Sequence, residues 1–247
     1  MTMVGVVQQA TWNGKIYGVW QSEMGGSPFG PFVNDNHFAG WMLMALPLVL
    51  GLFAAQVSRG MAGEKPGLRN RVLWFASPEA NQTILVGFDA IATRFAAADA
   101  AHFSGRGPIW QDTWRIVSDF FPFGTGLNTY GYATLFYQVT MPTEHLAEAH
   151  NDYLQLAAEG GLLLGVPVAI AIGLFVRDVR RRFAVGEREG TGYWVRVGAV
   201  TGLVAIAVQS LSDFSLQMPG NAALFAVVAG VALHQTGRRR DPGQSQG

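Results

Sequence analysis

The chain has 247 residues, with 17 basic and 17 acidic side chains and therefore no net charge. Hydrophobic residues make up 49% and charged residues only 14%, a balance that fits an integral membrane protein and not an ordinary soluble domain. The absence of cysteine excludes disulfides and thiolate metal sites, and the lack of a basic stripe on a soluble surface argues against nucleic acid as a partner.

Met1 to Ala10 lacks the basic start and long apolar run of a signal peptide. A polar segment rich in Gly and Trp follows and leads to Gly30-Pro-Phe-Val-Asn-Asp-Asn-His37. Such a beginning suits a piece of a larger protein whose upstream helices are missing. Phe38 to Val57 is uncharged and about the 20 residues that a bilayer span requires. Pro47 is tolerable there because neighbouring helices can satisfy the freed carbonyl. Residues 1–76 therefore read as an N-terminal segment with one transmembrane helix. Residues 77–159 read as a large loop, too long to be mere connection. Within it, Ile84, Phe88, Ile91 and Phe95 fall at helical spacing between Glu79 and Ala101, and Trp110 to Phe121 predicts a second amphipathic helix. Pro122-Phe-Gly-Thr-Gly126 predicts a turn. Tyr130, Tyr132, Phe136 and Tyr137 make an aromatic patch suited to lipid headgroups. Residues 160–247 hold three further spans and a polar tail: Gly160 to Val176, Val197 to Leu211, and a short one from Asn221 to Leu233 or Gln235. The expected fold is an all-α polytopic membrane helix bundle of about four spans, part of a larger bundle, with a mainly helical periplasmic loop.

Orientation follows from Lys and Arg placement. Residues 177–196 hold six arginines against three acids, whereas residues 77–159 hold three arginines against nine acids. The cluster from Arg177 to Arg196 and the run Arg238-Arg239-Arg240 should be cytoplasmic. Ser212 to Gly220 carries no basic residue and should face outward. The span after residue 160 then runs outside to inside, and His150 lies on the outer face. The first span ends in Ser58-Arg59-Gly60, followed by Lys65, Arg69 and Arg71, which suggests a cytoplasmic end. No adequate span follows before residue 77. Either the N-terminal part has the opposite orientation or crossings are missing from this sequence.

The run Glu148-Ala-His-Asn-Asp152, with Glu159 beyond it, puts titratable groups at the mouth of a span. Ionisable groups at such a place are costly to keep and mark functional sites. His150 could merely cap the helix that enters the membrane, or serve as general base on a hydroxyl. Glu148, Asp152 or Glu159 could orient its second nitrogen. Asn151 or Asp152 could be the helix N-cap. Arg106 is flanked by glycines in Ser104-Gly-Arg-Gly-Pro-Ile-Trp110. It could bind phosphate oxygens with its fork or pair with a nearby acid. Arg115 reads as a solvated residue or a partner of Asp112 or Asp119. Phe123-Gly-Thr-Gly-Leu-Asn-Thr-Tyr130 could cradle a phosphate, although a lone Gly-x-Gly is weak without a strand and helix around it. Asn34-Asp-Asn-His37 offers donors and acceptors before the first span but no metal site. His102, His145 and His234 read as incidental.

Three segments together resemble the O-antigen ligase-like family of polytopic membrane proteins. They are Gly30-Pro-Phe-Val-Asn-Asp-Asn-His-Phe-Ala-Gly40 with Ser58-Arg59-Gly60; Ser104-Gly-Arg-Gly-Pro-Ile-Trp110 with Pro122-Phe-Gly-Thr-Gly-Leu-Asn-Thr-Tyr130; and His150-Asn-Asp-Tyr-Leu-Gln-Leu-Ala-Ala-Glu-Gly-Gly161. They follow the family's order, with the large periplasmic loop just before the third. The resemblance implies a metal-independent glycosyltransferase, without cofactor, in the bacterial inner membrane. It would pass a glycan from undecaprenyl diphosphate to a hydroxyl acceptor such as lipid A-core. It implies His150 as the base and Arg106 as the arginine that holds the donor diphosphate. Arg59 sits in the family's Ser-Arg-Gly motif, on the predicted cytoplasmic side. Asn36, His37, Asn128, Tyr130, Asn151 and Asp152 fall in the matching segments as candidate substrate contacts. A polysaccharide polymerase or a protein O-oligosaccharyltransferase would share the same region. From other classes, a transporter would need charged residues inside its spans, which are absent. An inactive membrane fragment would fit the small number of spans.

Overall fold

The computed structural model describes residues 34–60, 106–139, 146–185 and 190–234, together with scattered positions between 7 and 32. The helix expected between Glu79 and Ala101, the Arg238–Arg240 run, His102 and His145 lie outside the described residues. The described structure is helical: α1 (Asp35–Gly60), α2 (Arg106–Asp119), α3 (Tyr130–Tyr137), α4 (Asp152–Val185), α5 (Thr191–Gln209) and α6 (Pro219–Leu233), with a 3₁₀ turn Ser215–Gln217. It is a membrane helix bundle. Three helices, α1, α4 and α5, are long and apolar enough to cross a bilayer. The fourth expected span forms as a helix of only 15 residues, about 22 Å long and short of the roughly 30 Å hydrocarbon core.

The contacts fix the directions. The Asn36 carbonyl accepts from Gln209 at one end of the bundle, and Arg59 donates to Thr191 at the other. Helices α1 and α5 are thus antiparallel. Asn221, early in α6, donates to the His37 carbonyl, and Arg196 in α5 donates to the carbonyls of Ala232 and His234 at the end of α6. Helix α6 therefore runs with α1. Helix α4 does too: Asp152 at its start bonds Ser210, and Phe183 near its end packs on Tyr193. The packing gives the first span the same direction as α4. Ser58 and Arg59 share an end with the arginines of α4 and α5, and the chain re-enters the described structure at the opposite end, at Arg106.

Helices α1 and α5 pack closely because glycines line their crossing. A Cβ on Gly198 would sit 2.3 Å from the Pro47 carbonyl oxygen, and one on Gly51 would sit 2.6 Å from that of Trp194. Small residues allow this approach where lipid provides no hydrophobic drive for helix association. Met44 of α1 with Leu203 and Ile206 of α5 joins Val228 of α6 in the core beside this crossing. Helix α4 is different: only 6% of its most apolar window is buried. Leu163 and Ile170 stand 69% and 58% exposed, a surface that hydrocarbon covers at no cost.

Helix α4 begins at Asp152, ahead of the apolar run, capped by Asn151 and with Asp152 and Glu159 anchored in protein. At Gly161 it kinks, with φ 50 and ψ −145. The kink leaves backbone groups for the turn after α2. Thr125 donates to Ala158 O (2.9 Å), Gly126 to Glu159 O (2.9 Å), and Leu162 donates to Pro122 O (2.7 Å). Gly124 must be glycine here, since a Cβ would meet Glu159 O at 2.4 Å. Helices α2 and α3 pack on this part of α4 through Ile116, Tyr130, Ala133, Ala149 and Ala158. Helix α2 begins at Arg106, a turn before Trp110, because Pro108 is well tolerated in a first turn. The aromatic patch divides: Tyr132 and Phe136 stand 73% and 85% exposed, whereas Tyr130 is 1% exposed.

Candidate functional site

The loop between α5 and α6 organises one end of the bundle. Buried Asp213 accepts from Ser215 Oγ (2.8 Å) and weakly from Gln209 Nε2 (3.4 Å). Phe214, next in the chain, meets two imidazoles edge to face, His37 from α1 at 4.8 Å and His150 at 5.0 Å. Arg106, the first residue of α2, donates to the Ser212 carbonyl. Three segments distant in sequence thus converge on Ser212-Asp213-Phe214.

His150 is held by its neighbours. Trp110 Nε1 donates to the Ala149 carbonyl (3.1 Å), and the Ala149 N–H donates to Gln155 Oε1 (2.9 Å). His150 itself adopts φ 50. That conformation costs a non-glycine residue about 1–3 kcal/mol and concentrates at functional sites. Its Nδ1 is buried without a hydrogen-bond partner among the described residues, as are Asp213 Oδ1, Gln209 Oε1 and Asn221 Oδ1. Each such group costs about 1–3 kcal/mol when left unpaired, so their gathering at one end marks a place built to receive polar atoms. Burial pushes the His150 pKa below the ordinary 6.5. The nearby Arg106 and His37 push it the same way, and Asp213 opposes them. His150 is therefore neutral at neutral pH.

The carboxylates expected to orient His150 are engaged elsewhere. Glu148 accepts from Gln155 (2.7 Å), and burial raises its pKa above the ordinary 4.5. Asp152 accepts from Ser210 (2.8 Å) and Gln217 (3.2 Å), which ties α4 to the loop after α5. Glu159 accepts from the backbone N–H groups of Tyr130 (3.0 Å) and Asn128 (3.1 Å). The carboxylate that bears on His150 is Asp213.

The other candidates divide by position. Asn36 and His37 join the cluster through α1. Asn151 abuts it and caps α4, with Oδ1 accepting from Leu154 N (3.0 Å) and Nδ2 donating to Leu211 O (2.9 Å). Asn128 sits in the turn at φ 59. The Tyr130 hydroxyl shares a hydrogen with buried Thr113 (2.6 Å), and burial pushes its pKa up to about 12. The turn from Pro122 to Tyr130 is not an open phosphate cradle. The N–H groups of Thr125, Gly126, Asn128 and Tyr130 are all taken by α4. Arg59 lies at the opposite end of the bundle with Thr191. Arg115 pairs with Asp112 at 3.1 Å and is half exposed.

Asp213, Phe214, Gln209 and Asn221 were not foreseen. One signal was available: Asp213 is the sole acidic or basic residue between Arg196 and His234 if histidine is left aside, and an isolated acid between two apolar helices has a reason to be there.

The architecture is that of an integral membrane protein with histidine, arginine and carboxylate gathered at one end. Residues 31–169 match the O-antigen ligase family, which is more than half of the chain, and the chain belongs to that family. No curated protein and no solved structure matches it. The match stops short of the Ser212–Phe214 loop, which supplies Asp213.

Proposed function

We propose that this chain carries the reaction end of a glycosyltransferase of the bacterial inner membrane. It would transfer a glycan from undecaprenyl diphosphate to a hydroxyl on lipid A-core. What supports this reading is the convergence of Arg106 and His150 on one loop, at the end of the bundle opposite the arginine cluster. In the proposed step, His150 accepts the proton of the acceptor hydroxyl. The oxygen attacks the anomeric carbon, and the bond from that carbon to the phosphate oxygen breaks. Undecaprenyl diphosphate leaves with the electron pair. The diphosphate is a good leaving group once its charge is balanced. An arginine has five N–H donors. Arg106 uses one nitrogen on Ser212 O, so its remaining donors can face a diphosphate. The depressed pKa keeps His150 in its base form, and Asp213 offsets the imidazolium formed when the proton arrives.

The test is transfer by membranes carrying the protein, supplied with labelled lipid-linked glycan and lipid A-core. His150→Ala should abolish transfer while the protein still folds, as a cooperative thermal transition would show. Arg106→Lys should weaken donor use, since an ammonium lacks the planar fork. Full transfer by His150→Ala would remove the base from the mechanism. A polymerase or a protein O-oligosaccharyltransferase would use the same donor chemistry, and replacing lipid A-core by glycan or protein acceptors in this assay distinguishes them.

A further inference from the structure

Among the described residues, the end of the bundle opposite His150 carries more guanidinium than carboxylate. Arg196 is 8% exposed. It is fixed by Ala232 O (3.1 Å) and His234 O (2.8 Å) and lies over the Phe183 ring. Arg182, one turn from the end of α4, is close enough to repel it. The Arg182 Nε and Nη1 atoms are buried without a hydrogen-bond partner among the described residues. Asp178, the acid nearest in the described sequence, is paired with Arg177 at 3.2 Å. Two neighbouring guanidiniums, one with donors unused among the described residues, attract an anion.

The surroundings indicate the source of that anion. Phe183 packs edge to face on Tyr193 at 5.6 Å, and Tyr193 on Trp194 at 5.5 Å. The Trp194 Nε1 is also buried and unpartnered. Tyr and Trp gather at headgroup depth, where one edge is apolar and the other meets polar atoms. Arg180 and Arg181, next to Arg182, are exposed and add the general attraction that basic segments have for anionic leaflets. We propose that Arg182, beside Arg196 and the Phe183–Tyr193–Trp194 stack, binds the phosphodiester headgroup of an anionic phospholipid. The site is independent of glycan transfer and stands whether or not that reading holds.

The experiment uses the purified chain in neutral detergent with added short-chain phosphatidylglycerol, phosphatidylcholine or inorganic phosphate. It reads thermal unfolding and lipid retention by native mass spectrometry. Phosphatidylglycerol should raise Tm and leave one lipid bound, and phosphatidylcholine should do neither. Arg182→Gln should weaken the phosphatidylglycerol effect about tenfold, as expected for losing a hydrogen bond to a charged group. The double variant Arg180→Gln/Arg181→Gln removes more charge and should keep the effect. An equal loss in the double variant would reduce the site to diffuse charge and overturn the proposal. Arg182→Gln lowering Tm equally in both lipids would assign Arg182 an internal partner. Inorganic phosphate matching phosphatidylglycerol at equal concentration would assign the site to a soluble anion and overturn the lipid assignment. If Arg182→Gln does not fold, Arg182→Lys decides: it keeps the charge and should still bind phosphatidylglycerol more weakly than the parent, whereas unchanged binding overturns the proposal.

Discussion

Glu159 holds the turn and α3 against α4 through two backbone bonds to one carboxylate, and its removal has a calculable consequence. In Glu159→Ala the Tyr130 N–H loses its acceptor inside the protein, at about 1–3 kcal/mol. The Asn128 N–H is at an exposed residue and can turn to water, so its loss is about 0.5–1.5 kcal/mol. The sum is about 2–4 kcal/mol, or a fall in Tm of roughly 5–15 °C for a chain of this length. Glu159→Gln keeps one oxygen for one N–H and sets its amide NH₂ against the other, so about half the loss should follow. Thermal unfolding in detergent gives the magnitudes. Hydrogen exchange at Tyr130 and Asn128 gives the location, because both amides should exchange faster in Glu159→Ala. If that variant unfolds within a degree of the parent and Tyr130 stays protected, the carboxylate is not what secures the turn.

Other perturbations address the bundle and the His150 cluster. Gly198→Ala places a Cβ 2.3 Å from Pro47 O and should destabilise by about 1–3 kcal/mol, whereas Gly230→Ala, with nothing within 4 Å, should be neutral; thermal unfolding compares the two. The acid limb of transfer should lie below 6.5, because burial and Arg106 lower the His150 pKa, and a limb at or above 6.5 refutes the environment assigned to it. With the folded pKa lowered, the contribution of His150 to stability is fully present above 6.5 and declines as pH falls through the lowered value. Asp213→Asn removes the one charge that opposes the depression, so the limb should move further to acid and transfer should slow; an unmoved limb would separate Asp213 from His150.

The spans were legible because long uncharged runs have few alternatives in composition, and Arg placement gave the alternation of the last three while leaving the first open. Helix ends were less so. Asp152 to Glu159 is helical ahead of the apolar run, and there the N-cap candidate Asn151 marked the start that hydropathy did not register. His150 and Arg106 could be singled out because ionisable groups near a span are unusual. Their meeting on Ser212 to Phe214 could not, because it depends on antiparallel packing of α1 and α5 and on α2 folding back over the loop. The role of Tyr130 was hidden for a similar reason. Four aromatic residues in one short segment look alike until Thr113 and Glu159 draw one of them inward. The glycines of the Pro122–Gly126 turn read as a ligand loop, but their partner is the kink at Gly161.

The glycine seam between α1 and α5 sets the register of the His37–Phe214–His150 cluster from a distance. His37 rides on one helix and Phe214 follows the other, so sliding α1 by a single residue would carry one imidazole about 1.5 Å along the axis while its aromatic neighbour stayed behind. Interlocked backbones resist such slippage better than flexible side chains do. The bundle thus works as a gauge, and a methyl group added halfway down it should be felt at the far end as a misplaced ring.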